Sequence, residues 1–166
     1  MTGRQAIEEL LSSVEKPRRH NRPSYRKPQA IKDFEVEHKA WFYSGRTTPP
    51  HIQSITKFRD DSADELTKLI IAFLRVQGAF ATRLNSTGVY RNDLKKFVPN
   101  TQRRGMADIV GTYQGKSLNI EVKIGRDRMS EHQLKVKKEI EAAGGYYYVA
   151  KDFEGFVRWF KQLNFI

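Results

Sequence analysis

Cysteine is absent from the 166 residues, which excludes disulfides and thiolate-held zinc. Histidine is scarce. His20, His38, His51 and His132 stand apart, without the helix-spaced pairing that a histidine metal site needs. Long apolar runs are missing as well. The longest, Leu69 to Leu74, has six residues, against the roughly 20 needed to span a bilayer. The first residues, M-T-G-R-Q-A-I-E-E-L-L, hold no apolar signal core and carry two early acids. The expectation is a soluble, cytoplasmic protein with no membrane partner. Acids are outnumbered, 19 Asp and Glu against 30 Lys and Arg, and the net charge of +11 favours a polyanionic partner. Apolar residues make up 39% of the chain and aromatics 11%. That suffices for one small core, a compact domain of about 100–120 residues with an appendage.

The appendage is expected at the N-terminal end. Residues Gln5 to Val14 have an amphipathic helical spacing, and Lys16 to Pro28 then places three prolines and six basic residues in thirteen positions. Such a stretch builds no core and reads as an extended basic arm. It is either a solvated linker or a phosphate-contacting element, with Arg18, Arg19, Arg22, Arg26 and Lys27 as the contacts and Tyr25 available to stack on a base. Ile31 to Phe42 carries apolar residues for docking on the domain, and Thr47-Thr48-Pro49-Pro50 marks a boundary. The division is therefore an arm over 1–50 and a domain over 51–166.

Within the domain, Asp60-Asp61-Ser62 opens a helix to about Gln77 with Leu66, Leu69, Ile70, Phe73 and Leu74 on one face. Ala79 to Leu84 reads as a strand, and Arg91 to Arg104 as a polar loop. A helix from Ser130 to about Ala143, a strand over Tyr146 to Ala150 and a last helix after Asp152 complete the order. The fold class is α/β, a mixed sheet flanked by helices.

Between these elements lies Gly105 to Lys123, which reads as two strands joined by a tight turn at Gln114-Gly115-Lys116-Ser117. Leu118, Ile120, Val122 and Ile124 share one face of the second strand, and Asn119, Glu121 and Lys123 the other. A loop over 115–116 or over 114–117 pairs positions that sum to 231, so Asp108 faces Lys123 and Val110 faces Glu121. Asp108 and Glu121 then become diagonal neighbours, about 7–8 Å apart on one face. An odd loop would turn Asp108 to the opposite face. Two acids, a lysine and a hard cation are the equipment for phosphodiester hydrolysis. A second Glu-x-Lys, Glu37-His38-Lys39, has Asp33 only four residues ahead of it; it reads as a solvated charge run.

Asp108 with Glu121-Val122-Lys123 resembles the PD-(D/E)xK nuclease signature. R-R-G-M-A-D at 103–108, E-V-K at 121–123 and S-E-H-Q at 130–133 are similar to its VRR-NUC branch, whose stand-alone members are often Holliday-junction resolvase-like. The resemblance spans roughly Asp64 to Val149 and implies a restriction-endonuclease-like core. It also implies Mg2+, with Mn2+ able to substitute, held by Asp108, Glu121 and the carbonyl of Val122, with Lys123 positioning the water. Glu65 matches a metal-facing glutamate on the first helix, and Gln133 a glutamine near the active site. Both also have capping-box spacing, from Ser62 and Ser130. Lys137 stands where some members carry an aromatic residue and departs from the pattern. Arg83 and Asn85 lie in an R-x-N-S-x-G stretch, where they contact phosphate, brace the site or form a turn. Arg103, Arg104, Arg126 and Arg128 are further candidates for phosphate contact.

The leading expectation is a DNA endonuclease selective for branched or four-way-junction DNA; the resemblance implies that its products end in 5′-phosphate and 3′-hydroxyl. The alternatives are a non-catalytic basic nucleic-acid-binding module and an RNA nuclease on the same fold. Paired incision of a junction suits a homodimer, for which Trp41, Phe42, Trp159, Phe160, Phe165 and Ile166 offer apolar surface beyond the core.

Overall fold

A computed structural model describes residues 25–84, 89–98 and 102–163; Arg18, Arg19, Arg22, Asn85, Phe165 and Ile166 lie outside the described residues. The order is α1 (Gln29–Tyr43), α2 (Ala63–Val76), β1 (Phe80–Arg83), β2 (Val89–Arg91), β3 (Lys96–Val98), β4 (Ile109–Tyr113), β5 (Lys116–Val122), α3 (Glu131–Ala142), β6 (Tyr146–Ala150) and α4 (Phe153–Gln162). Four strands form one sheet in the order β1-β4-β5-β6. β1 and β5 run antiparallel to β4, and β6 runs parallel to β5 after the crossover through α3. The result is the expected mixed sheet flanked by helices. Part of the polar loop expected over 91–104 instead pairs with Val89–Arg91 as a separate small hairpin, β2 with β3.

Each element forms for a local reason. Ser62 caps α2 by accepting a hydrogen bond from the Glu65 amide, and Asp152 caps α4 through the Gly155 amide. Leu66, Leu69, Ile70 and Leu74 are fully buried on α2, where they meet Leu118 and Ile120 of β5 in one core. β6 adds Ala150 to that core, and α4 adds Phe153, Phe156 and Phe160.

The turn between β4 and β5 differs from the expected one. Gln114 and Gly115 both take positive φ, +46° and +76°, as a two-residue type I′ hairpin turn requires. Tyr113 pairs with Lys116 and Ile109 with Ile120, so paired positions sum to 229 rather than 231. The shift is two residues, an even number, so every side chain keeps its expected face. Asp108 moves from opposite Lys123 to opposite Glu121, which draws the two carboxylates closer than the diagonal arrangement would.

The division at residue 50 does not separate two packed units. Ile31 and Phe34 of α1 are buried in the shared core, and the Phe34 ring meets Phe58, Phe73 and Phe153 at 5.5–5.6 Å between centroids. The Glu37-His38-Lys39 run is helical. Glu37 accepts a hydrogen bond from Gln77, while His38 turns inward and is buried. Tyr25 is not free to stack on a base. Its hydroxyl donates to Asp60 at 2.8 Å and the Arg59 guanidinium lies over its ring. Burial, then the hydrogen bond to Asp60, pushes its pKa up to about 12. Lys27 is likewise engaged, in an ion pair with Glu35. Of the apolar residues assigned to a dimer interface, Phe160 is buried in the core and Trp159 stacks on Tyr148 at 4.5 Å, which leaves Trp41 and Phe42 exposed among the described ones.

Glu35 is the polar anchor of this packing. It is buried, and its Oε1 accepts from the Phe58 amide at 2.7 Å as well as from Lys27. Burial alone would raise its pKa, but the Lys27 and Phe58 hydrogen bonds outweigh it and hold the carboxyl below its ordinary value. A lowered acid contributes stability above its unfolded pKa and loses it as pH falls through the folded one. Glu35→Gln is expected to cost about 1–3 kcal/mol at neutral pH. In chemical denaturation the gap from wild type should close below about pH 4; a gap independent of pH would contradict this role.

Candidate active site

β5 is buried on both faces. Leu118, Ile120 and Val122 point into the core, while Asn119, Glu121 and Lys123 are covered on the other side, with Glu121 only 1% exposed. The sequence places these polar residues on a face the apolar ones do not use. The additional finding is that α3 closes over that face through Gln133, beside the Tyr147 side chain of the neighbouring strand β6.

The α3 terminus does this through Gln133. Ser130 Oγ accepts from the Gln133 amide, and the Gln133 side-chain oxygen accepts from the Ser130 amide at 2.8 Å, a complete capping box. The Gln133 side-chain nitrogen meanwhile donates to Glu121 Oε1 at 2.5 Å. The capping role and the site-facing role are thus held by the two ends of one amide. Gly105 brings the preceding loop against the same terminus. Its φ is +87°, and a Cβ there would lie 2.5 Å from the backbone carbon and oxygen of His132. Only glycine allows that approach.

Asp108 follows three residues later. Its backbone oxygen accepts from the Leu84 amide at 2.8 Å, and its Oδ2 accepts from the Val122 amide at 2.9 Å. The N–H and C=O of one strand residue point to the same edge, so the Val122 carbonyl is directed toward the Asp108 side. Lys123 donates to Glu121 Oε1 at 3.0 Å and to Asp127 Oδ2 at 3.3 Å. Oε1 of Glu121 therefore carries two donors, whereas Oε2 is buried and has no partner among the described residues. Burial, then the neighbouring Asp108 charge, raises the Glu121 pKa, with Lys123 opposing. Burial alone would lower the Lys123 pKa, but Glu121 and Asp127 more than offset it, and the ammonium is held charged.

Two contributors were not singled out in the sequence. Tyr147 pairs with Asn119 in the β5–β6 register and so projects on the Glu121 face. It is buried, its hydroxyl has no hydrogen-bond partner among the described residues, and burial followed by the Glu121 and Asp108 charges raises its pKa. The signal was the alternation within Tyr146-Tyr147-Tyr148, in which only the middle ring turns from the core. Asp127 is the second, and its four-residue spacing from Lys123 was the available clue.

Other expected residues lie further out. Glu65 pairs with Lys68 at 2.9 Å on the exposed first turn of α2. Arg83 pairs with Asp64 at 2.5 Å, tying the end of β1 to α2. It aligns with the core-facing Ile109, on the opposite sheet face from Glu121. Arg103 forms a double contact with Glu139, at 2.8 and 2.6 Å. Arg104, Arg126 and Arg128 are exposed, and none is ion-paired among the described residues.

The donor set suits a hard divalent cation. Among the described residues no three His, Asp or Glu side chains gather for one, but two carboxylates and a carbonyl on one edge match a cation that keeps several waters. The unpartnered Glu121 Oε2 is the specific point of fit, since a buried carboxylate oxygen without a donor is costly. Comparison with protein-family models, curated proteins and solved structures finds no match for this chain. Mn2+ or Mg2+ at a hundred times its dissociation constant should stabilise the protein by about 2.7 kcal/mol. Thermal melts of Asp108→Asn and Glu121→Gln should show that gain reduced or lost. Equal gains in both variants would place the cation elsewhere.

Proposed function

We propose that the protein is a divalent-metal-dependent endonuclease of the PD-(D/E)xK type, VRR-NUC branch, hydrolysing phosphodiester bonds in DNA. The observation that carries this reading is the convergence of Asp108, Glu121 and Lys123 on one sheet face, with a buried Glu121 oxygen left unpartnered. Acids beside a phosphate path repel it unless a cation is present. The surplus of eleven positive charges draws the polyanion in, and Arg104, Arg126 and Arg128 are exposed on the two loops that flank the site.

Asp108, Glu121 and the Val122 carbonyl would hold the cation, which when bound supplies charge to polarise the phosphate and to lower the pKa of a water. Lys123 stays protonated, so it serves as a fixed positive charge and hydrogen-bond donor rather than as a base. Gln133 fixes the Glu121 carboxylate, leaving Oε2 turned away from its donors. Glu65 and Arg83, tied to Lys68 and Asp64 at the α2 terminus, would brace that end or meet the strand. Branched DNA, including the four-way junction, is the substrate class the family resemblance implies.

Asp108→Ala or Glu121→Ala should abolish metal-dependent cleavage of duplex, flap and junction DNA while binding in EDTA persists. Lys123→Ala should lose roughly 10²–10³-fold in rate with affinity kept. Cleavage near the wild-type rate in both carboxylate variants would refute the assignment.

A further inference from the structure

A second cavity lies away from the carboxylates, between the C-terminal half of α1 and the face of α2 that carries Ala72 and Arg75. Its volume is about 540 Å³, within the range of small-molecule sites. Trp41 and Phe42 line it and remain 45% and 38% exposed, although large aromatics are usually covered. His38, itself 91% buried, lines it between them, with ring centroids 5.7 Å from Trp41 and 6.0 Å from Phe42, the latter stacked. Its Nδ1 is buried without a hydrogen-bond partner among the described residues, and burial lowers its pKa, which favours the neutral ring that supports the Trp41 and Phe42 faces. Arg46 lies over the Phe42 ring at 4.0 Å. Arg46 and Arg75 are the charged groups of the lining, which contains no acid, and neither is ion-paired among the described residues.

We infer that this cavity takes an unpaired nucleotide of single-stranded DNA, with the base on Trp41 and the phosphate on Arg46 and Arg75. Aromatic rings beside guanidinium groups that form no ion pair among the described residues match the two recurring features of a single strand, a π-face and an anionic backbone; Arg75 keeps one hydrogen bond to the Ala81 carbonyl. An acidic or purely apolar occupant would leave one of these unused. The inference rests on the nucleic-acid reading above but not on the catalytic site. It adds that the bound DNA carries a single-stranded segment, such as a flap or frayed arm.

Binding of a labelled oligothymidylate to the full chain in EDTA, followed by anisotropy and by tryptophan fluorescence, tests it. Trp41→Ala should weaken binding roughly 5- to 150-fold, Trp41→Phe should recover most of it, and blunt duplex should be little affected. Arg46→Ala serves as a second variant, expected to lower affinity and flatten the salt dependence. Unchanged oligonucleotide affinity in folded Trp41→Ala and Arg46→Ala would overturn the inference. So would an equal loss for duplex, or a loss of self-association in place of DNA affinity, which would assign the cavity to a second copy. Cleavage dependent on Asp108 alongside unchanged affinity would remove this site and leave the nuclease reading standing; the reverse pattern would do the opposite.

Discussion

The structure depends on how one carboxylate is held. Glu121 sits beneath α3 with two donors on one oxygen and, among the described residues, none on the other. Burial opposes its ionisation, as does Asp108, and Lys123 offsets the two only in part. The sign follows from linkage. An acid whose folded pKa is raised contributes stability at low pH, which is lost as pH rises through the folded value. At neutral pH the ionised group is therefore a cost to the metal-free fold, and a cation beside Oε2 would reverse it. Sites that work by charge are often less stable than their scaffold permits.

The scaffold is arranged to tolerate this. Gln133 satisfies its helix terminus with one end of its amide and Glu121 with the other, so the cap and the site cannot be altered independently. Gly105 permits the loop to press on the same helix terminus, which fixes the start of Asp108's strand. On the opposite sheet face, α1, α2 and α4 interlock through Phe34, Phe73 and Phe153, with Glu35 and Asp60 stitching the first described residues to that core. The aromatic cavity is built from the same α1, so the helix that closes the core also presents Trp41 outward.

Much of this was legible in the residues. Strand alternation placed Asn119, Glu121 and Lys123 on one face, and helical spacing found the buried stripe of α2. The mixed sheet follows from the element order. What was not legible depends on tertiary placement. A Gln-Gly pair taking two positive φ values moved the hairpin register by two, and only parity saved the facing of Asp108. Tyr147 becomes part of the site only through parallel pairing with β5, made by a crossover that local pattern cannot register. A charged run such as Glu37-His38-Lys39 looks solvated until the core packs against one of its three side chains.

Glu121 Oε2, without a hydrogen-bond partner among the described residues, is the proposed meeting point with a cation. The most direct measurement is the anomalous difference density of a crystal grown with Mn2+, collected near the manganese edge. The account predicts one strong peak against Asp108 and Glu121 Oε2, absent in crystals of Glu121→Gln. Density showing Oε2 hydrogen-bonded to Tyr147 or to an ordered water, with manganese bound elsewhere or not at all, would contradict it.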